Sequence, residues 1–247
     1  MEIFGDIENA HIVFDDMIIA ASGDKEHDET LRAVLERARE KNVKCNRSKI
    51  QYKVSEVHFL GHRLSAEGVR SDDEKIVAIR DMPTPQISSE LKRFLGMITY
   101  AFKFIPHFSM HTDPLRQLLR KDVDWQWSHE HEEAFSRLKG LLQSAPTLKY
   151  FDPADNVWIQ TDSSSKGLGA CLLQHGRPIV FASRALTEAE CNYTRKSKKN
   201  YWRLSLRVRN LHSTLQATRE YLQEANQSNN ASPSTYVAAS DEVFAAY

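Results

Sequence analysis

Two short apolar runs, Ile12-Val13-Phe14 and Met17-Ile18-Ile19-Ala20, stand on either side of the pair Asp15-Asp16. Their β-branched and aromatic residues predict two strands joined by a tight turn that carries both acids. From Asp24 to Lys41 the pattern becomes helical: Leu31, Val34, Leu35 and Ala38 share one face, charges occupy the other, and Asp24 sits where an N-cap is expected. Residues 50–53 and 57–64 read as two further strands. A short helix over 72–81 ends before Pro83 and Pro85, which stop helices and restrain the loop. The next helix runs from Ser88 to about Phe104 and mixes Leu91, Phe94, Leu95, Ile98 and Phe102 with Lys92, Arg93 and Lys103, so it is half core and half basic surface. A helix over 112–120, the aromatic pair Trp125 and Trp127, and a long amphipathic helix over 128–143 complete the helical stretch.

Near Lys149 the period switches to two. Residues 157–162, 167–173 and 178–183 predict three consecutive strands, a meander. Asp162 ends the first of them and faces the Gly167-Leu168-Gly169 start of the second, where absent side chains leave room for a close backbone approach. The order of elements predicts an α+β architecture.

Composition sets wide limits. The 247 residues are 41% hydrophobic, sufficient to bury a core, and 33 basic residues balance 33 acidic ones, so net charge points to no polyanion. Cys45, Cys171 and Cys191 are scattered without metal-ligand spacing, which fits reduced thiols in an intracellular compartment. No apolar run reaches the length of a membrane span, and no membrane partner is expected.

The acidic pair is the main candidate for chemistry. Hard carboxylates at a hairpin tip can hold Mg²⁺ or Mn²⁺, which takes oxygen ligands and keeps waters that substrate phosphates replace. Taken alone, the pair reads more readily as a solvated Asp turn, because Asp is a common turn former. Asp162 has the same bland alternative, a strand-end turn residue.

The segments that follow tilt the balance. Val13-Phe14-Asp15-Asp16, Asn46-Arg47-Ser48-Lys49, Phe59-Leu60-Gly61-His62, Pro83-Thr84-Pro85, Phe94-Leu95-Gly96, Phe104-Ile105-Pro106, Ser144-Ala145-Pro146 and Thr161-Asp162-Ser163 occur in the order seen in one family. From residue 1 to about Thr194 the chain resembles the reverse transcriptase and ribonuclease H region of long-terminal-repeat retrotransposon polyproteins, closest to the Ty3/gypsy group. The resemblance implies that Asp15 and Asp16 are two palm carboxylates that bind catalytic magnesium, with Val13 in place of the usual tyrosine. It implies that Leu60, Gly61 and His62 form the hairpin gripping the primer end and that Asp162 is the first acid of the ribonuclease H site. By their charge Lys92, Arg93 and Lys103 could contact template-primer phosphates, although for any single basic residue on a helix a solvated face is the commoner role. The implied partners are an RNA/DNA template-primer duplex and, in the intact family, a deoxynucleoside triphosphate. Palm residues over 1–68, helical thumb and connection over 69–148, and an incomplete ribonuclease H-like meander over 149–194 are the implied domains.

Two departures matter. The family's fingers and first palm aspartate lie ahead of residue 1, so the metal cage expected here is incomplete. After Thr194, where the family places a helix with a catalytic glutamate, residues 195–209 carry seven Lys or Arg and no acid. A slip of reading frame accounts for this; the alternative is a genuine nucleic-acid-binding arm. The Asn/Ser/Ala-rich tail beyond about Gln223 is expected to be disordered, and the truncated nuclease sheet to leave apolar faces uncovered. The two functional expectations are a polymerase–nuclease fragment inactive alone, and a non-catalytic nucleic-acid-binding or assembly module.

Overall fold

A computed structural model describes residues 3–13, 15–164, 167–187, 189–191 and 235–239. The chain divides into two compact units, one formed by 1–72 with the C-terminal segment and the other by 73–219. In the first, strand β1 (Ala10–Val13) and strand β2 (Asp16–Ala21) form the expected hairpin, closed by pairing of Val13 with Asp16. Helix α1 (Asp24–Glu40) follows. Its N-cap is Gly23, not Asp24; Asp24 and Glu26 lie in the first turn, where they favour the positive end of the helix dipole.

All six residues of β2 are buried, and this determines the unit. Alternation sends Met17 and Ile19 toward α1, where they join Phe4, Ala10, Val34 and Ala38. Ile18 and Ala20 take the other face, with Val57 and the half-buried Val54, Phe59 and Leu64. At about 1.5–3 kcal/mol for each large side chain removed from water, this strand is the shared centre of both apolar clusters of the unit.

The stretch 57–64, which its pattern reads as one strand and the resemblance as a hairpin at Leu60-Gly61-His62, is a hairpin: β4 (Glu56–Phe59) turns at Leu60-Gly61 into β5 (His62–Ser65), which pairs in turn with β6 (Gly68–Ser71). Leu60 and Gly61 both have positive φ (48° and 73°), the signature of a two-residue type I′ turn. Strand β3 (Gln51–Val54) precedes this meander, and the side-chain amide of Gln51 both accepts from the His58 N–H and donates to its carbonyl, each at 3.0 Å. One further strand belongs to the unit. Where composition predicts disorder, Thr235–Ala239 forms a strand between β2 and β3; the basic run 195–209 lies outside the described residues.

The second unit begins with α2 (Asp73–Arg80), α3 (Ser88–Thr99), α4 (Phe108–Gln117) and α5 (His129–Gln143). Helix α3 stops earlier than its apolar pattern suggests, passing into a 3₁₀ turn at Phe102–Phe104. Helix α4 starts four residues before Thr112 and contains Pro114. Phe94 stacks on Phe135 at 4.5 Å, Trp127 meets Phe135 edge-on, and the Trp127 indole N–H donates to Glu132 at 2.8 Å. Trp127 is therefore a packing anchor. The Lys139 ammonium donates to the Met82 carbonyl and tethers the Pro83-Thr84-Pro85 loop to α5.

The meander is present as β7 (Trp158–Ser163), β8 (Gly167–Gln174) and β9 (Arg177–Ala185), in that order and fully antiparallel. Its edge strand exposes apolar surface: Trp158 is 71% accessible, and Ile159 and the preceding Val157 are also exposed. At its other edge, β9, the sheet is docked on α4, where the Ser109 N–H donates to the Ser183 hydroxyl at 2.8 Å.

Lys103, in the 3₁₀ turn, is only 6% accessible, and burial pushes its pKa down to about 7 from the usual 10.5. Between those values the unfolded chain holds the proton and the folded chain does not, so stability rises as pH increases from about 7 to about 10.5, with a slope of at most about 1.4 kcal/mol per pH unit. Urea unfolding of the second unit followed across that range is expected to show the rise, and Lys103→Met to flatten it; a wild-type profile already flat would show that Lys103 keeps its charge when folded.

Candidate functional site

The acids at the β1–β2 turn differ in environment. Asp15 is exposed, whereas Asp16, the first residue of β2, is 8% accessible and shares the strand face of Ile18 and Ala20. An ion arriving from solvent therefore meets Asp15 first, with Asp16 placed by the buried strand behind it. Among the described residues, no group of three or more His, Cys, Asp or Glu side chains converges on a metal position. Two adjacent carboxylates suit Mg²⁺ by donor chemistry, but they form only part of its oxygen shell.

The tip formed by Leu60, Gly61 and His62 belongs to the same unit as the acidic turn. A leucine in the left-handed region is unusual, and this one is 42% accessible, so neither conformation nor burial rewards it. Behind the tip, one face of the β4–β6 meander is polar: the Arg63 guanidinium pairs with Glu56, Arg70 bonds the other oxygen of Glu56 at 3.0 Å, and His58 contacts Asp72 at 3.1 Å.

Lys92, Arg93 and Asp162 belong to the second unit. Lys92 and Arg93 are both exposed on α3, in a stripe with Ser89, Gly96 and Thr99, opposite the face that buries Leu91, Phe94, Leu95 and Ile98. Gly96 is a residue the pattern of charges did not single out. A methyl group added there would meet nothing within 4 Å, so packing inside the chain does not require glycine, although it costs a helix interior about 1 kcal/mol relative to alanine. Its available signal was a lone glycine inside a helical pattern.

Asp162 is exposed on β7 and pairs directly with Gly169 on β8, as its position before the glycine-rich segment suggested. Ser183 of β9 stands opposite Gly169 on its other side, so Asp162, Gly169 and Ser183 share a face. The close approach comes from α4: an added Cβ on Gly169 would lie 2.4 Å from Nδ1 of His107, the residue preceding α4, whose own φ is +52°. The glycine thus seats His107 on the sheet face that carries Asp162.

Because the strain at Leu60 is local, Leu60→Asn is expected to raise the stability of the first unit by about 0.5–1 kcal/mol in chemical denaturation, asparagine tolerating the left-handed region better. An unchanged or lowered midpoint would mean that the side chain stabilises the hairpin itself.

Residues 2–64 match the family described as "Reverse transcriptase (RNA-dependent DNA polymerase)", and residues 127–228 match "RNase H-like domain found in reverse transcriptase". Among curated proteins, the Transposon Tf2-3 polyprotein of Schizosaccharomyces pombe is 32% identical over 204 residues, and the Tf2-7 polyprotein of the same organism 31%. Each alignment takes in 80% of this chain but 15% of the relative, so the chain spans a small part of the proteins it matches. The foamy viral protease-reverse transcriptase in complex with dsDNA is similar in fold, with a TM-score of 0.69 at 22% identity over 90% of this chain and 46% of that one. The same viral protein in complex with an RNA/DNA hybrid gives 0.68 at 23% identity, over 77% and 26%. Family matches at both ends, the transposon relatives and the shared fold agree: the chain belongs to the reverse transcriptase and ribonuclease H-like region of Ty3/gypsy-type retrotransposon polyproteins.

Proposed function

We propose that this chain is the part of a retrotransposon reverse transcriptase that holds a template-primer duplex and presents Asp15 and Asp16 to catalytic Mg²⁺ or Mn²⁺, and that by itself it binds duplex without extending the primer. The observation that carries this reading is the sequence of features from the acidic turn to α3: two carboxylates at the head of a strand buried on both faces, a strained exposed hairpin tip, then a basic helix face with a bare glycine. A divalent ion held there would activate the primer 3′-hydroxyl and neutralise the leaving pyrophosphate. Asp15 is the ligand open to solvent, and Asp16 keeps its place through β2. Since no third acid joins them among the described residues, the cage is too sparse for turnover.

Duplex recognition rests on a different part of the surface. Lys92 and Arg93 supply positive charge that displaces counterions from phosphates. Gly96 leaves the helix backbone open to a close neighbour, which fits a nucleic-acid strand lying along the stripe. Leu60 offers an apolar contact at the hairpin tip. In the nuclease half, Asp162 is proposed as one metal ligand of a site whose remaining acids the described residues do not supply. The foamy viral structures, solved on dsDNA and on an RNA/DNA hybrid, support duplex as the ligand class.

Primer extension with Mg²⁺, run beside duplex binding over a salt series, tests this. No extension is expected, with binding that weakens steeply as salt rises and a log–log slope that falls by about 1 for each of Lys92→Ala and Arg93→Ala. Gly96→Leu should separate binding from folding: stability rises by up to about 1 kcal/mol while duplex affinity drops by about tenfold. Salt-independent binding, or affinity untouched by all three substitutions, would remove α3 from the interface; extension abolished by Asp15→Asn would show the two-acid turn to be sufficient.

A further inference from the structure

The strand formed by Thr235–Ala239, β10, is separated from β3 by 180 residues of sequence, yet it lies inside the sheet of the first unit. It runs antiparallel to β2, with Thr235 opposite Ala21, Val237 opposite Ile19 and Ala239 opposite Met17, and so ends one position short of Asp16. On its other side it pairs with β3 through Tyr236–Val54 and Ala238–Gln51. In the sheet order β1-β2-β10-β3, β3 reaches β2 only through this segment.

Three features show a slot shaped for a strand. First, β2 is buried on both faces, so its outer edge has backbone groups that need partners away from water. Second, β3 is bulged to receive its neighbour: three steps from Gln51 to Val54 stand opposite two steps from Ala238 to Tyr236, and Lys53 in between has φ +48°. Third, that bulge is pinned from behind by α1. The Lys53 ammonium lies 2.9 Å from Asp28 and 3.9 Å from Asp24, and the hydrogen bond to Asp28 raises its pKa. An ion pair well away from the tail therefore holds the bulged wall against α1. The segment Thr-Tyr-Val has the β-branched and aromatic character that suits a central strand.

We propose that the gap between β2 and β3 is a strand-acceptor slot, filled in cis by residues 235–239, and that this insertion holds the Asp15-Asp16 hairpin in place. The hairpin that carries the candidate metal ligands thus depends on the far end of the same chain, whether or not the turn binds an ion. The segment also acquires a structural use in place of being surplus sequence after Thr194.

Hydrogen exchange of the full chain tests the claim. Val237→Pro removes a backbone donor and cannot sit in a central strand. It is expected to speed exchange in residues 17–21 and 51–54 by at least about tenfold while α3 stays protected. Unchanged exchange in both segments overturns the proposal. Should the variant lose protection in α3 as well, the full chain carrying Ile18→Cys and Ala238→Cys decides: these are direct cross-strand partners, whose Cα spacing of about 4.5–5.5 Å suits a disulfide. Under mild oxidation by diamide, peptide mapping should find positions 18 and 238 linked within one molecule. No link, or a link only between two molecules, overturns filling in cis.

Discussion

Burial of β2 on both faces is the constraint from which the first unit follows. A strand with α1 on one side and the β4–β6 meander on the other cannot slip by one residue without exchanging Met17 and Ile19 for Ile18 and Ala20. That rigidity fixes where Asp16 begins, and Asp15, the residue before it, is carried with it. A carboxylate aimed at a divalent ion gains from such a mounting, since an ion needs ligands held to within a fraction of an ångström. Hydrophobic packing therefore sets the position of the most polar feature of the unit.

In the second unit the same logic is met with glycine. A sheet face can accept the end of a helix only where side chains are absent, and Gly169 provides that gap beneath His107. The Ser109 to Ser183 hydrogen bond fixes the docking. Asp162, directly across from Gly169, consequently sits on a face built jointly by the β7–β9 meander and α4. Helices and strands pack together here, in keeping with the clustering of Asp73–Arg219 as a single unit.

Local rules are broken in few places, and those places are informative. Leu60 takes up a left-handed conformation while exposed, and Gly96 interrupts an exposed helix face with no internal neighbour to accommodate. Neither choice helps the chain fold. Both sit on the surfaces proposed to meet nucleic acid, where departures from the best local sequence are expected to concentrate. Of the other left-handed residues, His107 and Lys53 have structural partners, the Gly169 cradle and the Asp28 ion pair, and Asn9 and Asn42 are of a type that tolerates the region; His175 lies in the turn between β8 and β9.

Much of this was legible in the chain itself. Apolar periodicity placed the β1–β2 hairpin, α1, α5 and the three-stranded meander, because each buries one continuous stripe or run whose spacing is a property of the element. The acidic turn and the pairing of Asp162 with glycine were visible for the same reason, being local in sequence. What the sequence concealed was non-local. Residues 57–64 look like one strand until the positive φ of Leu60 and Gly61 folds them into two, a conformation that a leucine does not advertise. The start of α4 at Phe108 depends on the sheet it docks against, and the strand at Thr235–Ala239 exists only because β2 and a bulged β3 leave a gap of its width. A short polar-flanked segment has too little local energy to declare itself; its partners β2 and β3, 180 residues or more away in the chain, decide its structure.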